Sequence, residues 1–225
     1  MARILSCFHD ETGEQDMRAG YYMVVMVIHD QDESLEPYIR QYEDRLRDSG
    51  IDDIPFHMVK LLHGHEGYEG VDPADRKKML VAFNTFVRTL PVSYQVFSYT
   101  DFDVKDTEAL AKRLELDIES FLKDNLGKFQ EFDEVAIYYD GGHKAVRSAL
   151  RKAFDSALSK GVAHFKKPPY QDKRLYQVAD YFCSIELAAM RYGSGKVSST
   201  YNKFFGSWRN FRANYLKLAR RKCIG

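Results

Sequence analysis

Two apolar runs open the chain, Arg3–Phe8 and the Val-rich Tyr21–Ile28. The link between them, Glu14 to Gly20, is short enough for an antiparallel hairpin. After this hairpin, helix and strand patterns alternate. Ser34 opens a predicted helix to about Asp48, with Leu35, Ile39, Tyr42 and Leu46 at helical spacing. Phe56–Leu62 follows a proline and reads as a short strand, and His63–Val71 as a loop rich in Gly and His. Asp72-Pro73-Ala74-Asp75 joins a capping Asp to a proline at the first helical position and predicts a helix to about Leu90. Val92–Tyr99 reads as a strand. Asp106 caps a helix to about Lys123, whose apolar stripe is Leu110, Leu114, Ile118 and Phe121. Glu134–Tyr139 is a strand buried on both faces, ending in Asp140-Gly141-Gly142. A helix from about His143 to Ser159, a short strand in Gly161–Lys166, a break at Lys167-Pro168-Pro169 and an apolar helix from Leu175 to about Met190 follow. Strands alternating with helices after a hairpin predict an α/β domain with a mixed sheet.

A chain of 225 residues with 44% apolar content suits one large domain with a sizeable core. We expect that domain over residues 1–192, with a basic, aromatic C-terminal extension, 193–225, packed on it. No run approaches the roughly 18 apolar residues of a membrane helix. The first residues carry no signal-peptide apolar region. Cys7, Cys183 and Cys223, odd in number and far apart, read as reduced thiols. The expectation is a cytoplasmic chain with no membrane partner.

The formal net charge of zero hides a split. Residues 1–142 hold 15 Lys and Arg against 29 Asp and Glu, and residues 143–225 hold 18 against 4. A basic half of this kind either meets a polyanion or docks on the acidic half.

Three carboxylates stand out. Asp10 is expected to end the first strand and Asp140 ends a buried one; ligands of open α/β sheets gather beyond such strand ends. Alone, either Asp also suits a plain turn. Asp180 sits among Leu175, Val178, Ala179, Tyr181, Phe182, Cys183 and Ile185, a costly place for a charge unless it is paired or holds a metal. Gln177 one turn before and Ser184 one turn after complete a narrow polar stripe. A salt bridge to Lys173 or Arg174 is the plain structural alternative. Carboxylates held together repel, so a cluster of them needs a cation, and hard oxygen ligands select Mg²⁺ or Mn²⁺.

Asp10-Glu11-Thr12-Gly13, Tyr138-Tyr139-Asp140 and Tyr176-Gln177-Val178-Ala179-Asp180 carry a resemblance. They resemble, in order, the Asp-Glu-Ser-Gly start, the strand-ending Asp and the Gln-x-Ala-Asp helix motif of the bacterial and phage family called domain of unknown function 3800. The likeness runs from about residue 5 to about residue 190, with Thr12 in place of the usual Ser. It implies an α/β, ribonuclease-H-like mixed sheet flanked by helices, with Asp10, Asp140 and Asp180 at the metal site. The family often adds an acid or a His near the third strand. Phe56-His57 matches the His-containing stretch, and Glu11 or Glu66 are candidates for the further acid.

The expected function is hydrolysis of nucleic-acid phosphodiesters at a two-metal Mg or Mn site. Asp10, Asp140, Asp180 and Glu11 are the candidate catalytic residues, and Asp10, Asp140, Asp180 and Glu66 the candidate metal ligands. One ion would activate water and the other steady the leaving oxygen. Lys144, Arg147, Arg151 and Lys152 gather on one side of the helix after Asp140, and Lys166, Lys167, Lys173 and Arg174 extend the track toward Asp180; they are the candidate nucleic-acid contacts, or else a solvated helix face. Tyr201, Phe204, Phe205, Trp208, Arg209, Phe211, Arg212, Tyr215 and Lys217 interleave rings with cations. They stack bases, or, the preferred expectation, pack as an amphipathic helix. A non-catalytic nucleic-acid- or protein-binding module on the same fold is the alternative function, and metal binding discriminates the two. His63-Gly64-His65-Glu66 reads as a polar loop before it reads as a zinc site. No Walker loop, dinucleotide fingerprint or nucleophile elbow is present.

Overall fold

The first two apolar runs pair antiparallel as β1 (Ile4–Gly13) and β2 (Tyr21–Asp30), with Cys7 opposite Ile28 and Asp10 opposite Val25. This computed structural model describes residues 2–13, 20–100, 104, 106–139, 141, 143–167 and 173–224. Asp140, most of the hairpin link and the Pro168-Pro169 break lie outside them. β1 is longer than its apolar run, because the ladder to β2 carries it through His9-Asp10-Glu11-Thr12. Asp10 therefore lies inside the strand and not at its end. Gly13 closes the strand at φ 105°, where a Cβ would fall 2.4 Å from the Tyr21 carbonyl oxygen, so the close approach of the two strands requires glycine.

β3 (Ser93–Thr100) adds antiparallel to β2, while β4 (Glu134–Tyr139) and β5 (Ala163–Phe165) lie parallel on the other side of β1. The order is β3-β2-β1-β4-β5. This is the expected α/β, ribonuclease-H-like mixed sheet flanked by helices.

The helices are α1 (Glu36–Asp48), α2 (Met58–His63), α3 (Pro73–Thr89), α4 (Thr107–Asp124), α5 (Leu126–Phe129), α6 (Lys144–Ala157) and α7 (Arg174–Gly193). Then come α8 (Ser199–Phe205), α9 (Trp208–Phe211), a π-helical stretch Arg212–Leu216 and α10 (Lys217–Ala219). Asp72 and Asp106 cap α3 and α4, accepting from the Ala74 and Ala109 amides. The cap position of α1 falls to Leu35, and the Ser34 hydroxyl accepts from the Glu36 amide at 3.3 Å.

Side chains alternate across a strand, so β1 serves two cores. Phe8, Val25, Val27 and Tyr138 face α7, which is backed by α1, α2, α3 and the C-terminal helices. Leu5, Cys7, Val24, Met26 and Tyr139 face α4 and α6. Asp10 shares the parity of Phe8, and Glu11 that of Cys7.

Phe56–Leu62 is not a strand: it enters α2, a helix of six residues. So short a helix is marginal alone. Side chains distant in sequence hold its two ends. The Asp180 carboxylate accepts from the Met58 amide at 2.7 Å. The buried Arg76 guanidinium donates to the Leu61 and Leu62 carbonyls at 2.7 and 3.0 Å. An anion at the N-terminus and a cation at the C-terminus both complement the helix dipole. Phe56, stacked on Phe83 at 3.8 Å, fastens the approach to α2.

At the C-terminus Tyr201, Phe204, Phe205, Phe211 and Tyr215 are buried in the α7-side core, which bears out the amphipathic packing. Glu186 of α7, 5% exposed, accepts from Tyr94 at 2.7 Å and from Arg220 at 3.1 and 2.7 Å, tying α7 to β3 and to the end of the chain. Among the described residues no helix is long and apolar enough to cross a membrane.

Candidate carboxylate site

The polar stripe of α7 begins at Arg174, Gln177 and Asp180, and all three residues grip the chain leading into α2. Arg174 pairs with Glu43 and Asp53 and covers the Tyr42 ring at 5.3 Å. Gln177 accepts from the Phe56 amide at 3.2 Å and from Arg174 at 3.1 Å. Asp180 turns one oxygen to the Met58 amide and the other to His57 Nδ1, 3.6 Å away. Its side chain is 19% exposed. Burial holds its carboxyl above the ordinary aspartate range, against the pull of His57, the Met58 amide and Lys60. Arg174 is spent on Glu43 and Asp53, so Asp180's partners are α2 and His57.

Cys183 lies one turn further along α7. Its thiol is pushed well up, first by burial and then by the negative charges of Asp10, Asp180, Glu11 and Glu186. Asp10 of β1 shares the sheet face that packs against α7, the helix that carries Asp180. Both are hard oxygen donors of the kind Mg²⁺ and Mn²⁺ take, so their chemistry fits the expected ion. Among the described residues no three His, Cys, Asp or Glu side chains group to hold a metal. Asp140 is not one of those residues; β4 reaches Tyr139, whose partner across the ladder is His9.

Glu11 belongs to the other face of the sheet. It accepts from Tyr22 at 2.8 Å and from Tyr139 at 2.9 Å, and His143 Nε2 lies 3.3 Å from it. Burial and the Glu11 charge push the Tyr139 phenol up. Glu66 stands on an exposed turn at φ 34°, paired with Lys60 at 2.6 Å, which holds its carboxyl below the ordinary glutamate range. The structure therefore sets Asp10 on the α7 side of the sheet and Asp180 on α7, places Glu11 among tyrosines on the opposite face and leaves Glu66 in solvent. His63 and His65 lie face to face at 5.9 Å.

Much of the expected basic track braces the fold. Arg147 donates to the Tyr139 carbonyl at 2.9 Å and lies over the Phe165 ring, as does Arg151. Lys152 pairs with Glu115 and Lys166 with Glu134. Lys144, Lys167 and Lys173 are exposed.

The strand pattern concealed His9. It is fully buried between β1 and α6, with Nδ1 3.3 Å from the Tyr138 carbonyl and its ring against Phe154. Burial lowers it to about 4. Its place in the apolar alternation was the available signal. Compared with known proteins, the chain matches no family model, no curated protein and no solved structure.

Proposed function

We propose that this protein is a metal-dependent nuclease of the type that the domain of unknown function 3800 resemblance implies, with Asp10, Asp140 and Asp180 holding Mg²⁺ or Mn²⁺. One observation carries the reading: the central strand turns Asp10 to the side of the sheet that α7 covers, and α7 carries Asp180 with its carboxylate only 19% exposed. When bound, the metal would supply charge to the attacked phosphate and acidify a water. The chain's own part is positional. The Met58 amide holds Asp180 in place, Gln177 and Arg174 anchor the segment that leads into α2, and His57 Nδ1 lies 3.6 Å from the carboxylate.

The second reading is a non-catalytic binding module. One observation favours it: Asp180 already has a structural task in capping α2. Asn keeps an acceptor for the Met58 amide while removing the charge, so Asp180→Asn separates the two. Under the nuclease reading, Mn²⁺ titrated calorimetrically binds the wild type, and binding is lost in Asp10→Asn and Asp180→Asn, both of which stay folded. Cleavage of DNA, RNA or a hybrid should fall in parallel. Mn²⁺ binding that both variants retain would overturn the nuclease reading.

A further inference from the structure

The C-terminal segment divides its residues by type. Its packed rings face inward, while Lys203, Arg209, Arg212, Lys217 and Arg221 are exposed. Residues 193–225 contain eight Lys and Arg and no Asp or Glu. Arg220 pairs with Glu186, and the five exposed cations have no acidic partner among the described residues.

Trp208, the chain's single tryptophan, does not follow the other rings into the core. It is 42% exposed, tilted against Tyr192 at 5.8 Å and Phe211 at 5.9 Å. It also lines a cavity of about 370 Å³ with Met23, Val96, Ser98, Met190 and the Glu186–Arg220 ion pair. That volume lies in the small-ligand range. A half-exposed indole at a cavity of mixed polarity, flanked along its own helical stretch by Arg209 and Arg212, combines a stacking platform with a cationic track.

We infer that this surface binds a single strand of nucleic acid. One unpaired base enters the cavity against Trp208, and the phosphates run over Arg209, Arg212, Lys217 and Arg221. A duplex keeps its bases stacked internally and offers the indole nothing. In its choice of ligand the inference rests on the nuclease reading, so the test is run on the full chain in EDTA, where cleavage plays no part.

The probe is a labelled oligothymidylate of about 16 nucleotides. The expected result is quenching of the tryptophan emission together with a rise in label anisotropy. Trp208→Leu should weaken binding about tenfold by anisotropy. The Arg209→Ala/Arg212→Ala double variant, altered only at exposed positions, should weaken it and reduce the slope of log affinity against log salt by about 1.4. Unchanged affinity in the double variant overturns the inference, as does equal binding of a matched duplex. So does binding to phosphatidylserine vesicles with none to the oligonucleotide. A strand that binds in this way but is never cut with Mn²⁺ defeats the nuclease reading alone. A strand that is cut without regard to Arg209 and Arg212 defeats this inference alone.

Discussion

His9 and Asp180 illustrate what burial does to a titratable side chain once its neighbours are fixed. His9 falls from an ordinary 6.5 to about 4, so its folded form binds the proton less readily than the unfolded chain does. Its stabilising effect is present above about 6.5 and is lost as pH falls toward about 4, to a total of about 3 kcal/mol. Urea unfolding at pH 7 and pH 4.5 should show the loss, and His9→Leu should flatten it; an unchanged pH slope in that variant would assign the effect elsewhere. Asp180 runs the other way: its raised carboxyl makes the charged form costly as pH rises, a cost that the Met58 amide and His57 offset in part. The oddity of Asp180 was legible in the sequence, because an acid among so many apolar helix neighbours is visible as a pattern. Its partners were not, since Met58 lies 122 residues away.

At the scale of elements, α2 was misread and the reason is physical. Phe56–Leu62 has the apolar content of a strand, and six helical residues are too few to establish a period. The helix exists because Asp180 and Arg76, from two other helices, meet its ends. Arg76→Met would strip the Leu61 and Leu62 carbonyls of their donor and should cost about 2 kcal/mol in chemical denaturation. The same change should speed amide exchange in α2 ahead of α3; uniform loss across both would refute the capping role. The longer helices were legible because their signals are local: Asp72 and Asp106 sit beside the amides they cap. The basic track near α6 had a correct helix but an incomplete use, since Arg147 and Arg151 lie over a strand residue, Phe165, that helical spacing does not reveal.

For the whole molecule, the charge split resolves in two ways at once. Lys152, Lys166 and Arg174 dock the basic half on Glu115, Glu134, Glu43 and Asp53 of the acidic half. The C-terminal cations do not take part in that docking. Arg220 is the exception within the segment, and Arg220→Ala should leave Glu186 buried with Tyr94 alone, at a cost of about 1–3 kcal/mol. Exchange of the amides in 208–222 should rise first, and an unchanged pattern there would remove Arg220 from the tie. The mixed sheet was legible from the opening hairpin and the later alternation, whereas strand order and the facing of each carboxylate depend on register.

That register has a consequence for how the site can change over time. Because β1 presents Asp10 to one core and Glu11 to the other, a slip of one residue along β2 would exchange the two acids and deliver each to the wrong neighbours. The close pass at Gly13 holds the strand against such a slip. Lineages that lengthen or shorten this hairpin by a single residue should therefore have to compensate within β1 itself, whereas insertions in the exposed turn after α2 leave both acids where they are.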